Sequence, residues 1–228
     1  MTAASYAPAP LRIDFVSDVM CPWCAVGLAS LEQALARLRE EVQANIHFQP
    51  FELNPQIGPE GEGVAEHLQK KYGLSGAQLA ENQERIRQRG AELGFTFNVE
   101  GRRRVVNSFD AHRLLHLAGI EGGQAQLKHA LLRAYFTEGR DVSDHATLVQ
   151  IAASVGLPAE RAHALLASDE FAAEVREQEQ LFLRMGISGV PAVIIEQRHL
   201  ISGGQPVEVF ERALREIAAA KRNGDSGT

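Results

Sequence analysis

The chain has 228 residues, of which 45% are hydrophobic and 23% charged, a composition that supports a sizeable core without metal or disulfide staples. Its formal charge of −6 and isoelectric point near 5.8 give no electrostatic reason to bind a polyanion, so nucleic acid is not an expected partner. No run of about 18 apolar residues occurs, which argues against a helical membrane span.

Met1 to Pro10 is small, Ala- and Pro-rich, and lacks the basic and apolar regions of a signal peptide, so it reads as a flexible leader. Leu11–Val16 alternates apolar and polar residues as a strand with one better-covered face does. Then comes Cys21-Pro22-Trp23-Cys24, which holds both cysteines of the chain. From there Leu28, Leu31, Leu35, Leu38 and Val42 recur at helical spacing. A second alternating run, Ile46–Phe51, completes a βαβ unit.

Gly58–Gly63 is a linker, and a helical pattern follows it. Helices are expected at Val64–Tyr72, Ala77–Leu93, Ser108–Ala118, Gln124–Thr137, Ala146–Val155 and Ala159–Leu166, with Ser75, Ser108 and Ser143 or Asp144 as N-caps. The run Arg102-Arg103-Arg104 between them reads as a solvated loop or strand edge. Asp169 is expected to open a helix over Phe171–Met185. Val190–Ile195 and His199–Ile201 read as a hairpin, and Val207, Phe210, Leu214 and Ile217 mark a closing helix. Asn223–Thr228 reads as a disordered tail.

The expected architecture is α/β: a four-stranded mixed sheet built from the two ends of the chain, residues 11–57 and 169–222, with an all-helical segment, 58–168, inserted between them. Within it the cysteines sit where a strand gives way to a helix, so unpaired backbone N–H groups and the helix dipole favour a thiolate at the first of them. A dithiol at this spacing can exchange with a disulfide, Cys21 attacking and Cys24, one turn inside, resolving. Pro22 suits the first helical turn and Trp23 supplies an apolar surface. Two other readings stay open on these residues: half of a zinc site, with His112 and His116 one helical turn apart, and a structural disulfide or pair of inert core thiols.

The cysteine motif resembles that of the thioredoxin superfamily when taken with the distant Gly189-Val190-Pro191, and specifically its DsbA-like branch with a helical insertion. Four further segments are similar to the FrnE-type group: Pro50-Phe51-Glu52-Leu53-Asn54-Pro55, Asn107-Ser108-Phe109-Asp110-Ala111-His112-Arg113, Gly186–Pro191 and Ile201-Ser202-Gly203-Gly204-Gln205-Pro206. The resemblance runs from about Leu11 to Lys221. It implies a thioredoxin fold with a cis Val190–Pro191 bond opposite the cysteines, and a Val190 backbone that pairs with an extended substrate.

It further implies a cytoplasmic thiol–disulfide oxidoreductase or isomerase with Cys21 and Cys24 as catalytic residues and no metal. Trp23, Asn54, Asn107, Phe109, His112, Val190 and Pro191 are its candidate substrate contacts. Phe109 has a second reading as core, and Asp110 and Arg113 as a helix-face pair. Its partners are protein or small-molecule thiols and disulfides, and it needs no dissociable cofactor beyond glutathione as a co-substrate. Related glutathione-dependent isomerases of the 2-hydroxychromene-2-carboxylate type carry serine where this chain has Cys21, and they define the alternative function. Ala25 and Ala192 replace bulkier residues common in the family, which bears on the width of the substrate groove.

Overall fold

The computed structural model describes residues 10–98 and 104–225, with no account of the side chains of 224 and 225. Strand β1 (Leu11–Ser17), helix α1 (Pro22–Arg37) and strand β2 (Ala44–Pro50) form the expected βαβ unit, with β1 and β2 parallel and Ile13 opposite Ile46 and Phe15 opposite Phe48. The sheet is completed by β5 (Ala192–Ile195), antiparallel to β1, and β6 (His199–Ser202), antiparallel to β5, in the order β2-β1-β5-β6.

β1 is covered on both faces, because it lies inside the sheet with helices on either side. Leu11, Ile13 and Phe15 enter the main core with Leu28, Leu31 and Phe210, while Val16 joins Ala192, Ile194, Phe182 and Ile187 on the other face. Asp14, on that second face, is made tolerable by charge-assisted bonds from Arg12 at 2.7 and 2.9 Å and from Gln49 at 2.6 Å. The expected alternation therefore marks a strand buried on two faces rather than one.

Between β2 and β5 run α2 (Val64–Tyr72), α3 (Gly76–Glu92), α4 (Phe109–Glu121), α5 (Gln124–Phe136), α6 (His145–Ser154), α7 (Ala159–Leu166) and α8 (Ala172–Arg184). A two-residue antiparallel ladder, β3 (Glu62–Gly63) with β4 (Arg104–Val105), was not expected from the sequence, being too short to carry a period. Of the Arg102–Arg104 run only Arg104 is described; it is exposed and donates to the Gly61 carbonyl at 3.0 Å. Helix α9 (Val207–Asp225) closes the fold against α1, where Arg37 meets Glu211 at 2.8 Å.

Several boundaries differ from expectation. α1 stops at Arg37 because the chain turns at Leu38, and Val42 is buried from that turn. Ser75 builds a full capping box with Gln78, and Asp144 caps α6 through the Thr147 amide, but Ser108 caps nothing. There Asn107 Oδ1 accepts from the Phe109 amide at 2.9 Å. Asp169 is likewise no cap; Phe171, at φ 60°, precedes α8. β5 starts at Ala192, two residues later than expected. α9 continues to Asp225, into the stretch read as disordered; Met1–Ala9, most of the leader, and residues 226–228 lie outside the described residues.

Candidate active site

The local sequence dictates where the two sulfurs go. Cys21 ends the β1–α1 loop in extended backbone (φ −94°, ψ 113°) as the N-cap residue, Pro22 occupies the first helical position, and no acidic side chain sits in the first turn. The positive end of α1 is thus left facing Cys21, whose carbonyl accepts from the Cys24 amide at 3.0 Å. Cys24 is 0% exposed and Cys21 4%, yet Cys21 lines an open cleft and Cys24 does not. Burial, reinforced by negative charge on Cys21, pushes the Cys24 thiol well above its ordinary value.

Opposite the cysteines is the loop before β5. Its Val190–Pro191 peptide bond is cis, the Cys21 thiol donates to the Val190 carbonyl at 3.5 Å, and the Pro191 carbonyl accepts from the Gly203 amide at 2.8 Å. Two glycines let α1 approach this loop. A Cβ on Gly27 would stand 3.0 Å from Pro191 Cγ and 3.3 Å from Gly204 Cα, and one on Gly204 would stand 3.0 Å from the Trp23 carbonyl oxygen.

The cleft above Cys21 has a volume of about 340 Å³. Its floor is Met20, Cys21, Pro22, Trp23 and Val190, and its walls come from α2 and α3, including Leu68, Tyr72, Leu79 and Ile86. Cations stand among the apolar groups. Lys71 Nζ donates to the Leu53 carbonyl at 2.8 Å and to Asn54 Oδ1 at 2.7 Å, and the Arg85 guanidinium lies 5.9 Å from the Trp23 ring centroid. Tyr72, 56% exposed, lines the same cleft as Cys21, and its phenol is pushed upward by partial burial and then by charge on Cys21.

Of the sequence-derived contacts, Trp23, Asn54 and Val190 line the cleft, and Pro191 backs it against Gly27. Asn107, Phe109 and His112 do not line it. Asn107 donates to buried Glu52 at 3.1 Å; Phe109, half-buried, lies under the Arg176 guanidinium, 3.7 Å from its ring centroid; and Arg176 also pairs with Glu52 and with Glu179. These residues join the helical segment to the sheet. Asp110 and Arg113 pair at 2.8 Å, as the second reading had it.

His112 is buried behind the β1–α1 loop with Nε2 3.7 Å from Asp18 Oδ1, while His116 packs on Phe171. The two histidines that a half-built zinc site would need are therefore turned to different neighbours. Asp18 accepts from the Met20 amide at 3.0 Å and the Leu53 amide at 2.7 Å. Burial acts to raise its pKa, but the His112 imidazole and these two amides outweigh it and hold the carboxyl below its ordinary value.

Sequence reasoning missed Lys71, Tyr72, Leu79, Arg85 and Ile86. Leu79 and Ile86 left a signal, because α2 and α3 are polar helices whose few apolar residues recur at helical spacing, a stripe that meets the core at Val64 and lines the cleft; Lys71, Tyr72 and Arg85 left none.

A mixed β2-β1-β5-β6 sheet with a Cys-X-X-Cys pair at a helix start, a cis-proline loop across from it and an inserted helical segment defines a thioredoxin-fold dithiol protein. The chain belongs to the DSBA-like thioredoxin domain family, whose model matches residues 12–215. It is similar to a probable DsbA oxidoreductase from Streptomyces coelicolor, at 35% identity and a TM-score of 0.84, over 92% of this chain and 90% of that one. The uncharacterised protein YwbO of Bacillus subtilis (strain 168) is 26% identical over 206 residues, 90% of this chain and 96% of that protein. The cytosolic disulfide reductase DsbM from Pseudomonas aeruginosa, solved with GSH, shares the fold at 19% identity and a TM-score of 0.61, over 90% of this chain and 98% of that one. No helix among the described residues is long and apolar enough to cross a membrane.

Proposed function

We propose that this protein is a thiol–disulfide oxidoreductase of the FrnE type in which Cys21 attacks and Cys24 resolves. The observation that carries the reading is the placement of the sulfurs: Cys21 lines the cleft against the Val190 carbonyl, and Cys24 is held in the core one turn away. In the reducing direction the Cys21 thiolate attacks a substrate disulfide, one substrate thiolate leaves, and a mixed disulfide forms. Cys24, deprotonated, then attacks Cys21 Sγ, the second substrate thiolate leaves, and a Cys21–Cys24 disulfide stores the two electrons' worth of oxidation. Run backwards, the same steps oxidise a dithiol substrate.

The cleft supports a substrate with an apolar body and anionic ends, since Trp23, Leu68 and Ile86 offer surface and Lys71 and Arg85 offer charge. Glutathione offers two carboxylates to Lys71 and Arg85 and one thiol to the cysteine pair, which suits it as a co-substrate, and a cytoplasmic setting would supply it in reduced form. Cys21→Ser should abolish reduction of a disulfide substrate such as insulin, while Cys24→Ser should accumulate a mixed disulfide visible by mass spectrometry. Full activity in Cys21→Ser would sink this reading. Glutathione-dependent isomerisation of an aromatic substrate that survives Cys24→Ser would favour the isomerase alternative instead.

A further inference from the structure

Lys128 is 0% exposed and its Nζ has no hydrogen-bond partner among the described residues, an expensive arrangement for a group with three donors. Its position is fixed at both ends. One turn earlier Gln124 exchanges hydrogen bonds with the Phe48 amide and carbonyl at 3.0 and 3.1 Å, which pins α5 to β2. One residue later His129 Nε2 lies 2.7 Å from Glu32 Oε1, which pins α5 to α1, on the helix that carries Cys24 two turns before Glu32. Lys128 thus extends from α5 into the core behind the cysteines. The titratable groups whose charge acts on it are Cys24 most strongly, then Asp18 and Cys21, and His112 stands behind Asp18.

We propose that Lys128 is the proton acceptor for the Cys24 thiol in the resolving step, a role that rests on the dithiol reading above. In the mixed disulfide the neutral amine takes the thiol proton and becomes an ammonium. The Cys24 thiolate so formed attacks Cys21 Sγ, the bond between Cys21 and the substrate sulfur breaks, and the substrate leaves as a thiolate with the electron pair. Once the Cys24 charge is gone, the ammonium stands in the core beside Asp18 alone, and burial favours return of its proton to solvent. Burial holds the Lys128 amine below its ordinary pKa, which favours the neutral form that can accept a proton, and pushes the Cys24 thiol above its own, which is why that thiol needs a base beside it.

The test uses the reduced full chain and dithiobis(nitrobenzoate) as the disulfide, because its two released thiolates report separately on the two steps. The first equivalent marks attack by Cys21 and the second marks resolution by Cys24. In Lys128→Met the first phase should stay within about twofold, while the second slows by about 10²-fold at neutral pH, the lower end for loss of a general base, and its pH midpoint moves upward. A second phase with wild-type rate and midpoint would overturn the proposal. Absence of the first phase in the wild-type protein would instead overturn the dithiol reading, and this role with it.

Should Lys128→Met not fold, the wild-type protein carries the test. The sequence has four lysines, Lys70, Lys71, Lys128 and Lys221, so the Lys128 side-chain resonance is assignable by replacing the other three with arginine. Its titration should shift between the reduced and oxidised protein. A midpoint indifferent to the redox state of the pair would overturn the role.

Discussion

Gly27→Ala and Gly27→Val test how tightly α1 abuts the loop that faces Cys21. An unrelaxed Cβ at 3.0 Å from Pro191 Cγ, against an optimum near 3.8 Å and a well of about 0.15 kcal/mol, costs about 1.3 kcal/mol, and the 3.3 Å contact with Gly204 Cα adds about 0.1. Replacing glycine by alanine inside a helix returns about 1 kcal/mol. Gly27→Ala should therefore change stability by less than about 0.5 kcal/mol, a Tm shift of about 2 °C or less for a chain of this size. Function should respond more strongly. The contact relaxes by moving the Pro191 loop a few tenths of an ångström away from α1, and with it the Val190 carbonyl that meets Cys21. If a misplacement of 1 Å costs about 10²-fold, this shift slows attack by Cys21 about fourfold. Gly27→Val loses the propensity gain and adds two methyl groups to a filled space, for a destabilisation of about 3 kcal/mol. Thermal unfolding and the rate of Cys21 alkylation by iodoacetamide measure both effects. A Gly27→Val protein as stable and as reactive as the parent would refute the packing argument.

Asp18→Asn should cost about 2 kcal/mol at neutral pH, because an amide presents an N–H to one of the two backbone donors that the carboxylate now accepts. The folded-state pKa of Asp18 lies below its unfolded value, so this stability is present above about pH 4 and is lost as pH falls through the folded pKa. Urea midpoints for the two proteins should converge in acid; a constant gap would contradict the assignment. Arg176→Met leaves Glu52 and Glu179 as neighbouring buried carboxylates and should cost about 1–2 kcal/mol at pH 7, less than a fully buried pair because Arg176 is half-exposed. Glu179 is raised by burial first and by Glu52 second, so the neutral form is favoured in the folded state. Its contribution is full at low pH and lost as pH rises through the folded pKa, and the Tm deficit of the variant should shrink on acidification. A deficit that grows in acid would contradict this.

The sheet and the cysteine pair were legible because they rest on local signals: two alternating strands, a helical stripe from Leu28 to Leu38, and a Cys-X-X-Cys set at their junction. The cap at Ser75 was legible for the same reason, though not its reciprocal bond from Gln78, and Ser108 misled because Asn107, one residue earlier, makes the bond instead. What escaped was tertiary. Asn107, Phe109 and His112 were assigned to substrate by resemblance alone, and packing against Glu52, Arg176 and Asp18 gives them other neighbours. Lys128 sits between Leu127 and His129 in a helix that is hydrogen-bonded to the sheet unit through residues 76 and 97 positions away in sequence, Gln124 to Phe48 and His129 to Glu32. No window of sequence contains that information. The walls of the cleft were hidden likewise, since Lys71, Tyr72 and Arg85 read as ordinary solvated helix positions until α2 and α3 are folded over Cys21.

On the proposed mechanism Cys21 and Cys24 are one redox couple. Equilibration of the protein across ratios of reduced to oxidised glutathione, with acid quench, alkylation and mass spectrometry, tests it most directly. An intramolecular Cys21–Cys24 disulfide should form, its fraction following a two-electron curve of about 30 mV per tenfold change in the equilibrium. A species that stays glutathionylated at Cys21 with Cys24 still a free thiol, at every ratio, would contradict it.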